Sequence, residues 1–207
     1  MAVKARFYRC EGCGLRFPAL EEVGKCPACG GGVVRGGERG LETDAEHPSE
    51  PLFPPCSAVL ENLRSAWNVG SIFRTADAAG WSHLHLCGIT PAPPHPGISK
   101  TALGAERCVS WSYHPDAVEV IERLRKEGWT VWVLETGGEP WHPEDPIPEG
   151  PFTLVVGNEL AGVDPEILSL AHRVVELPMR GCKRSLNVSV AFGVLALGIS
   201  LRRLTPR

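Results

Sequence analysis

The sequence contains no hydrophobic run that is long enough to cross a membrane. Its longest apolar stretch covers residues 188–201, about 14 residues, whereas a membrane-spanning helix needs roughly 20. The N-terminal segment MAVKARFYRC also lacks the apolar centre of a secretory signal peptide. We therefore expect a protein that has no membrane partner and works in the cytoplasm.

An excess of positive charge is absent as well. The chain of 207 residues carries 21 lysines and arginines against 24 aspartates and glutamates, which gives a formal net charge of -3. This balance argues against a broad basic surface for non-specific DNA binding. With 43% hydrophobic residues, the chain has enough apolar material for one main domain and a small appendage.

Two common nucleotide-binding patterns are missing from the sequence. No G-x-x-x-x-G-K-S/T segment is present, and no predicted strand runs into G-x-G-x-x-G. The P-loop and the Rossmann dinucleotide site both depend on such glycine-rich phosphate loops. A nucleotide-like cofactor must therefore be held in another way.

Cysteine is plentiful, and four of the eight cysteines form two Cys-x2-Cys pairs. A glycine follows each pair and lets the backbone curl back, so that all four sulfurs can face one tetrahedral ion. The predicted ligands are Cys10, Cys13, Cys26 and Cys29. Four thiolates leave no open coordination position, so we expect structural Zn²⁺ in a zinc ribbon. Two redox-active dithiols are the alternative.

The ribbon is predicted to cover residues 1–35. Residues 36–52 are rich in Gly, Glu and Pro without any period, which is typical of a flexible linker. The main domain is then expected at 53–207. Arg6, Arg9, Arg16 and Lys25 surround the cysteine pairs, where they either contact RNA phosphates or remain solvated surface charges.

In the main domain, helical and strand-like stretches alternate. Helical spacing of apolar residues predicts helices over 68–79, 116–126, 165–170 and from 188 onwards. Continuous apolar runs such as TVWVLE and FTLVVG are typical of strands that are buried on both faces. The sequence therefore predicts an α/β fold with a mainly parallel sheet and helices on both faces. Ligands of such sheets bind beyond the carboxyl ends of the strands.

Three segments of the main domain carry a family resemblance. ENLRSAWNVGSIFRTADAAG (61–80), LVVGNELAGV (154–163) and LPMRGCKRSLNVSVAFGVLAL (177–197) resemble, in order and separation, the motifs of the SpoU (TrmH-like) RNA ribose 2′-O-methyltransferases of the SPOUT superfamily. The resemblance covers roughly residues 53–204. The zinc ribbon and the very short C-terminal tail depart from many members of that family.

The resemblance implies an enzyme with a C-terminal trefoil knot that binds S-adenosylmethionine and methylates tRNA or rRNA. It also implies a homodimer whose active site lies at the subunit interface. The terminal helix is compatible with a dimer, because it is apolar on all sides. A helix that is buried within one subunit is the alternative.

The resemblance also implies roles for individual residues. The catalytic set would be Asn68, Arg74, Glu159, Ser185 and Asn187, with Arg74 activating the ribose hydroxyl. The cofactor-binding set would be Leu134, Gly157, Leu177, Met179 and Leu186, with backbone groups around the adenine. Basic side chains beside the third segment, Arg180, Lys183 and Arg184, would guide phosphates.

Taken without the resemblance, these residues have ordinary explanations. Arg74 is placed for a surface ion pair with Asp77, one helical turn away. Glu159 would be a solvated loop carboxylate. Ser185 and Asn187 stand where a helix begins and are typical caps.

The helical spacing itself also agrees with the implied role of Arg74. The small neighbours of Arg74, including Gly70, are expected to leave room for a ribose and a phosphate.

Arg74 is a poor candidate for a general base. Removing a proton from an arginine guanidinium at neutral pH costs about 7 kcal/mol, whereas general-base assistance contributes roughly 3 to 5 kcal/mol. We therefore expect a charged Arg74 that holds the target phosphate and stabilises the alkoxide. Two other functions stay open: a base-directed SPOUT RNA methyltransferase, or a catalytically idle zinc-ribbon RNA-binding protein.

Overall fold

The computed structural model describes residues 4–41 and 51–204. Contacts between residues divide the chain into two compact units, Met1–Pro48 and Ser49–Arg207. Within the described ranges, no helix has both the length and the apolar character needed to cross a membrane.

The N-terminal unit is a three-stranded antiparallel sheet. Its strands are β1 (Lys4–Cys10), β2 (Arg16–Ala19) and β3 (Val33–Gly40), in the order β2-β1-β3. Tyr8 is buried and stacks on Phe17 with 5.8 Å between ring centroids. Few other apolar side chains are buried here, so the sheet alone forms only a small core.

Strand β3 reaches further than the sequence predicts. The glycine-rich segment from residue 36, predicted as the start of a linker, is strand up to Gly40 because it pairs with β1. Glu38 on this segment forms ion pairs with Lys4 and Arg35, which hold it against the sheet. Residues 42–50 of the predicted linker lie outside the described residues.

The C-terminal unit is built around a six-stranded sheet whose neighbouring strands are all parallel. The strand order is β6-β5-β4-β8-β7-β9. The strands are β4 (Cys56–Glu61), β5 (His83–Cys87), β6 (Ser110–His114), β7 (Thr130–Pro140), β8 (Phe152–Val156) and β9 (Arg173–Glu176). The helices are α1 (Ala66–Ala78), α2 (Pro96–Ala102), α3 (Ala117–Lys126), α4 (Pro165–Leu170) and α5 (Val188–Leu204). A single 3-10 turn, Ala105–Arg107, follows α2.

Two separate apolar cores show that helices cover both faces of the sheet. On one face, Phe73 of α1, Ile98 of α2 and Phe192 of α5 share a core with Phe152 of β8. On the other face, α3 and α4 pack over side chains such as Val155. The predicted α/β fold with a parallel sheet is confirmed, and the trefoil knot stays a prediction.

Candidate active site

A pocket of about 360 Å³ opens where β8 and β9 end and where the pairing of β7 with β8 stops at Leu134, a size that is typical of small-molecule sites. Three segments form it: the part of β7 from Leu134 to Thr136, and the loops that follow β8 and β9. Its lining residues lie at 134–136, 156–160, 162, 176–177, 179, 184–188 and 191. The position agrees with the expectation that ligands bind beyond the carboxyl ends of parallel strands.

The loop after β8 is held rigidly by its own backbone and by Asn158. Asn158 Oδ1 accepts from the N–H groups of Leu160 and Ala161, and its Nδ2 donates to the carbonyl of Asn62 at 2.7 Å. A Cβ on Gly157 would lie 2.7 Å from the carbonyl oxygen of Gly162. Only glycine fits there without moving the loop.

Glu135 ties the pocket side of β7 to the loop after β8. Its Oε2 accepts from the N–H of Val163 at 2.9 Å, and its Oε1 accepts from the N–H of Thr136 at 2.8 Å. Gly162 has a φ of 76°, and a Cβ there would lie 2.7 Å from Glu135 Oε2. The carboxylate therefore fixes the spacing of two pocket walls.

Glu159 binds the start of α1. Its carboxylate accepts from the N–H of Arg64 at 2.8 Å, the N–H of Ser65 at 3.2 Å and Asn68 Nδ2 at 2.9 Å. Partial burial works against its negative charge, but these N–H donors outweigh that effect and hold the pKa of Glu159 below its usual range. Glu159 is an anchoring carboxylate and not a free solvated one.

Asn187 both caps α5 and joins that helix to α1. Its Oδ1 accepts from the N–H of Ser189 at 2.9 Å, which is the hydrogen bond of a helix cap. Its Nδ2 donates to Asn68 Oδ1 at 3.0 Å. Glu159, Asn68 and Asn187 therefore form one hydrogen-bonded chain, which connects the three segments that carry the family resemblance.

Most of the predicted site residues surround this pocket. Of the cofactor-binding set, all five line it: Leu134, Gly157, Leu177, Met179 and Leu186. Of the catalytic set, Glu159, Ser185 and Asn187 line it as well. Asn68 and Arg74 do not, although Asn68 reaches it through its two hydrogen-bonded neighbours.

Arg74 is an exposed residue on α1. Among the ion pairs of residues 4–41 and 51–204, the pair with Asp77 that its spacing allows does not occur. The expectation of open space at Gly70 is wrong, because α2 packs onto it. A Cβ on Gly70 would lie 2.4 Å from the carbonyl oxygen of Ile98.

In the N-terminal unit, the four cysteines of the two pairs converge. The sulfurs of Cys10, Cys13, Cys26 and Cys29 all lie within 4.8 Å of one another. The short contacts run between the pairs: Cys10 to Cys29 at 3.4 Å and Cys13 to Cys26 at 3.7 Å. A redox dithiol would bring together the two sulfurs of one pair, so this arrangement favours a four-thiolate metal site.

The backbone around the sulfurs supports the same assignment. The N–H groups of Gly14 and Gly30 donate to the carbonyls of Cys10 and Cys26, closing a tight turn after each pair. Hydrogen bonding from the backbone N–H of Cys13 is the main cause that lowers the pKa of the Cys10 thiol to about 6. The backbone hydrogen bond from Gly31 lowers the pKa of the neighbouring Cys29 thiol, but hydrogen bonds to Cys10 and Cys13 outweigh it and raise that pKa to about 12. The opposite shifts arise because neighbouring thiols share protons, so the convergence of the four sulfurs carries the assignment.

The fold and the pocket together define an α/β domain with a ligand-sized pocket at the ends of its parallel strands and without a glycine-rich phosphate loop. The family described as SpoU rRNA methylase matches residues 55–197, so the chain belongs to the SpoU rRNA methylase family. The predicted family and the predicted class of enzyme, an RNA methyltransferase, are confirmed. The ribbon lies outside the matched residues.

Individual relatives agree with this family. A tRNA (guanosine(18)-2′-O)-methyltransferase of Thermus thermophilus is 31% identical over 73% of this chain and 77% of its own. A 23S rRNA (guanosine-2′-O-)-methyltransferase RlmB of Pseudomonas putida is 33% identical over 68% of this chain and 56% of its own. The crystal structure of an AdoMet-bound rRNA methyltransferase from Sinorhizobium meliloti superimposes with a TM-score of 0.68 at 26% identity, covering 75% of this chain and 59% of that one.

Sequence reasoning missed two residues that shape the site. Glu135 follows the last residue of β7 that pairs with β8, and Asn158 stands two residues after the end of β8. A carboxylate or an amide within two residues of the end of a buried apolar run is the signal that could have identified them. Their hydrogen bonds bind loop backbone, so they position the pocket walls.

Proposed function

We propose that this protein transfers a methyl group from S-adenosylmethionine to a ribose 2′-hydroxyl of RNA. The observation that carries the proposal is the chain of hydrogen bonds from Glu159 through Asn68 to Asn187, beside a pocket walled by three strand-end segments. It connects the three motif segments, and relatives that match 73% and 68% of this chain are named as tRNA and rRNA 2′-O-methyltransferases.

The pocket suits a molecule that has an apolar ring and a polar tail. Leu134, Leu177 and Leu186 supply apolar walls, and the loop backbones between them supply donors and acceptors for a purine edge. Ser185 and Asn187 stand at the rim as polar contacts. When it is bound, S-adenosylmethionine supplies an electrophilic methyl group on a sulfonium centre.

Arg74 is the residue that we assign to the ribose hydroxyl. It is exposed, and no ion pair within the described ranges uses its charge. A guanidinium that remains charged stabilises a developing alkoxide and holds a phosphate with two parallel N–H donors. The proton of the hydroxyl leaves to a phosphate oxygen or to water.

The proposal includes a homodimer, because α5 is apolar on two sides. Phe192, Leu195 and Ile199 are fully buried in the core of one subunit. A second row of side chains lies outside that core with exposures of 40 to 62%: Val190, Val194, Leu197 and Leu201. Their spacing of four, three and four residues forms a continuous stripe that suits a partner helix. A second copy of the chain would cover it.

A dimer also explains why Arg74 does not line the pocket of its own subunit. α1, which carries Arg74, packs against α5. A Cβ atom on Gly193 of α5 would lie 3.6 Å from Thr75 Cγ2 on α1, so the two helices lie close together there. A partner that docks on the stripe of α5 therefore approaches α1 as well. We assign the pocket of one subunit and the guanidinium of the other to one active site.

Structural Zn²⁺ in the ribbon is a second part of the proposal. Four thiolates at about 2.3 Å from an ion are separated by about 3.8 Å, close to the contacts of 3.4 and 3.7 Å between the pairs. Because the ribbon buries few apolar side chains, the metal supplies much of its folding free energy.

The predicted cytoplasmic location stays a prediction.

Calorimetry followed by analysis of methylated RNA tests the proposed function. The expected results are binding of S-adenosylmethionine, which Leu186→Trp abolishes by filling the pocket, and transfer of labelled methyl groups to tRNA or rRNA. A methylated ribose gives a dinucleotide that resists alkali. An alkali-labile product that carries a methylated base would support the base-directed alternative, and cofactor binding without transfer to any RNA would support the idle one.

Arg74→Lys tests the role of the guanidinium. The lysine keeps the positive charge but loses the planar pair of donors. We expect methyl transfer to fall by at least about tenfold at every pH, with binding of S-adenosylmethionine unchanged. Full activity of this variant across the pH range would contradict the assignment.

A further inference from the structure

One face of the ribbon sheet displays an aromatic ring between two arginines. Phe7 lies opposite Pro18 in the pairing of β1 with β2, and Arg9 lies opposite Arg16. Val34 lies opposite Arg9 in the pairing with β3. Since residues two apart on a strand, and directly opposite residues, point to the same side, these five residues share one face. We call it the Phe7 face.

The Phe7 face is directed toward solvent. Phe7 is 42% exposed and Val34 is 52% exposed, although both are large apolar side chains. The opposite face holds the small core of the ribbon, where Tyr8 stacks on Phe17 and its hydroxyl accepts from the N–H of Val23. The exposed ring therefore offers a flat apolar surface that the ribbon's own core does not use.

The charges of the ribbon divide into paired and unpaired ones. Lys4 and Arg35 form ion pairs with Glu38, and Arg6 donates to the carbonyl of Leu20. Arg9 and Arg16 take part in none of the ion pairs found within residues 4–41. Lys25 and Arg39 are likewise in none of these ion pairs. Of the four cations that remain available, Arg9 and Arg16 are the two that flank Phe7.

A shallow depression confirms that these side chains are neighbours. It is lined by Phe7, Arg9, Arg16 and Val34, and also by Glu11 and Arg35. The Cα atoms of Phe7 and Arg9, two residues apart on β1, are separated by about 7 Å, and those of Arg9 and Arg16, on neighbouring strands, by about 5 Å. Three arginines and one glutamate line the depression, so its side chains carry a net positive charge that favours an anionic ligand.

We propose that the Phe7 face binds single-stranded RNA, with one base stacked on Phe7 and the adjoining phosphates bound by Arg9 and Arg16. An exposed aromatic ring beside cations is the combination that binds unpaired bases without reading their sequence. Bases in a duplex are already stacked and do not offer their faces, so the partner is a loop or another single-stranded segment. This inference rests on the proposed function for its choice of RNA.

The basic residues around the cysteine pairs differ in their contacts. Arg6 is used inside the ribbon, where it holds the Leu20 carbonyl at 3.0 Å, while Arg9 and Arg16 are available for RNA. The family match begins only at residue 55, so the ribbon adds a contact that the matched domain does not contain. It would increase affinity for RNAs with an unpaired segment within its reach.

Fluorescence anisotropy of the full zinc-loaded protein with a labelled oligouridylate of about eight nucleotides tests this inference. Phe7→Leu keeps an apolar side chain but removes the stacking surface, and we expect its Kd to rise roughly 5- to 100-fold. Arg9→Gln and Arg16→Gln should each weaken binding and lower the slope of log K against log salt by about 0.7. The matched control is Lys4→Gln, which removes one paired ribbon charge and should leave that slope unchanged.

Two results would overturn the inference. One is a Phe7→Leu variant that binds the oligonucleotide as tightly as the unaltered protein. The other is a Lys4→Gln variant that loses as much as Arg16→Gln, because binding would then follow total charge alone. Zinc content and S-adenosylmethionine binding are measured on every variant. If the unaltered protein does not bind S-adenosylmethionine, the proposed function is refuted. The Kd values of the variants for the oligonucleotide would still decide the role of the Phe7 face.

Discussion

Asn187 Nδ2 donates to Asn68 Oδ1 at 3.0 Å, and these two residues are separated by 119 positions in the chain. The bond fixes the start of α5 against the first turns of α1. Asn68 in turn donates to Glu159, so one amide is oriented from both sides. With its oxygen and its nitrogen both assigned, Asn68 has a single orientation beside the pocket.

The two functions of Asn187 can be separated by two substitutions. Asn187→Asp keeps an oxygen that caps α5, so its free energy of unfolding should stay near that of the unaltered protein. It replaces the donor to Asn68 by a second acceptor, so methyl transfer should fall by about tenfold or more. Asn187→Ala loses both bonds and should also lower the free energy of unfolding by about 1 kcal/mol. Urea unfolding and initial rates are the measurements, and an active Asn187→Asp variant would contradict the linking role.

Glu159 should give the protein a stability that depends on pH. Its folded-state pKa lies below the unfolded value, so the carboxylate stabilises the fold fully above about pH 4.3. This contribution is lost as the pH falls through the lower, folded pKa. Glu159→Gln should reduce the free energy of unfolding by about 1 kcal/mol at pH 7, a small value because the site is open to solvent.

The difference in stability between the unaltered protein and Glu159→Gln should shrink as the pH falls below the ordinary pKa of a glutamate. Urea unfolding at pH 7, 5 and about 3 measures it, since those values span the ordinary pKa of a glutamate. Asp77→Asn is a suitable control, because Asp77 is an exposed carboxylate on α1 that takes part in none of the ion pairs among the described residues. An equal loss for Glu159→Gln at all three pH values would contradict the anchoring role.

The long-range hydrogen bonds explain where prediction from sequence succeeded and where it failed. Leu134, Gly157 and Leu186 line the pocket as predicted. Their positions could be predicted because strand ends and family motifs can be recognised in short stretches of the sequence. The bonds between Glu159, Asn68 and Asn187 connect residues 91 and 119 positions apart. Such partners are set by the order of strands in the sheet, which the sequence does not display.

Local signals were reliable for some elements and weak for others. The helix predicted over 116–126 is α3, which Asp116 caps by accepting from the N–H of Val118 and after which Gly128 turns the chain with a φ of 85°. The strands Cys56–Glu61 and Ser110–His114 were not predicted, because each is short and has no long apolar run. The short helix Pro96–Ala102 was hidden in a proline-rich stretch, and its packing closed the space expected at Gly70.

Removal of the metal should unfold the ribbon. A strong chelator or Cys29→Ser should open residues 4–41 to proteases, because the thiolate cluster replaces the core that the ribbon lacks. Metal content and limited proteolysis are the measurements. All six tryptophans lie beyond residue 53, so unchanged tryptophan emission would show that the loss is confined to the ribbon. A metal-free ribbon that resists proteolysis would contradict a structural role for Zn²⁺.

The apolar stripe on α5 predicts how the protein assembles. Leu197→Glu places a charge in the centre of the stripe, where a partner helix would bury it, so it should convert a dimer into a monomer of 22.4 kDa. Leu20→Glu is the control, because Leu20 is a 58% exposed leucine of the ribbon. Analytical ultracentrifugation measures the mass. A dimer that persists in Leu197→Glu, or an unaltered protein that is already monomeric, would contradict the proposed interface.

Mixed dimers test whether the pocket of one subunit works with the guanidinium of the other. Arg74→Ala and Leu186→Trp subunits are expressed together with different tags, and the mixed dimer is purified through both. Each variant alone should be inactive. If Arg74 acts across the interface, the mixed dimer contains one site with an intact pocket and an intact arginine, and it should recover about half of the unaltered activity. If Arg74 served the pocket of its own subunit, both sites would carry a defect and no activity would return.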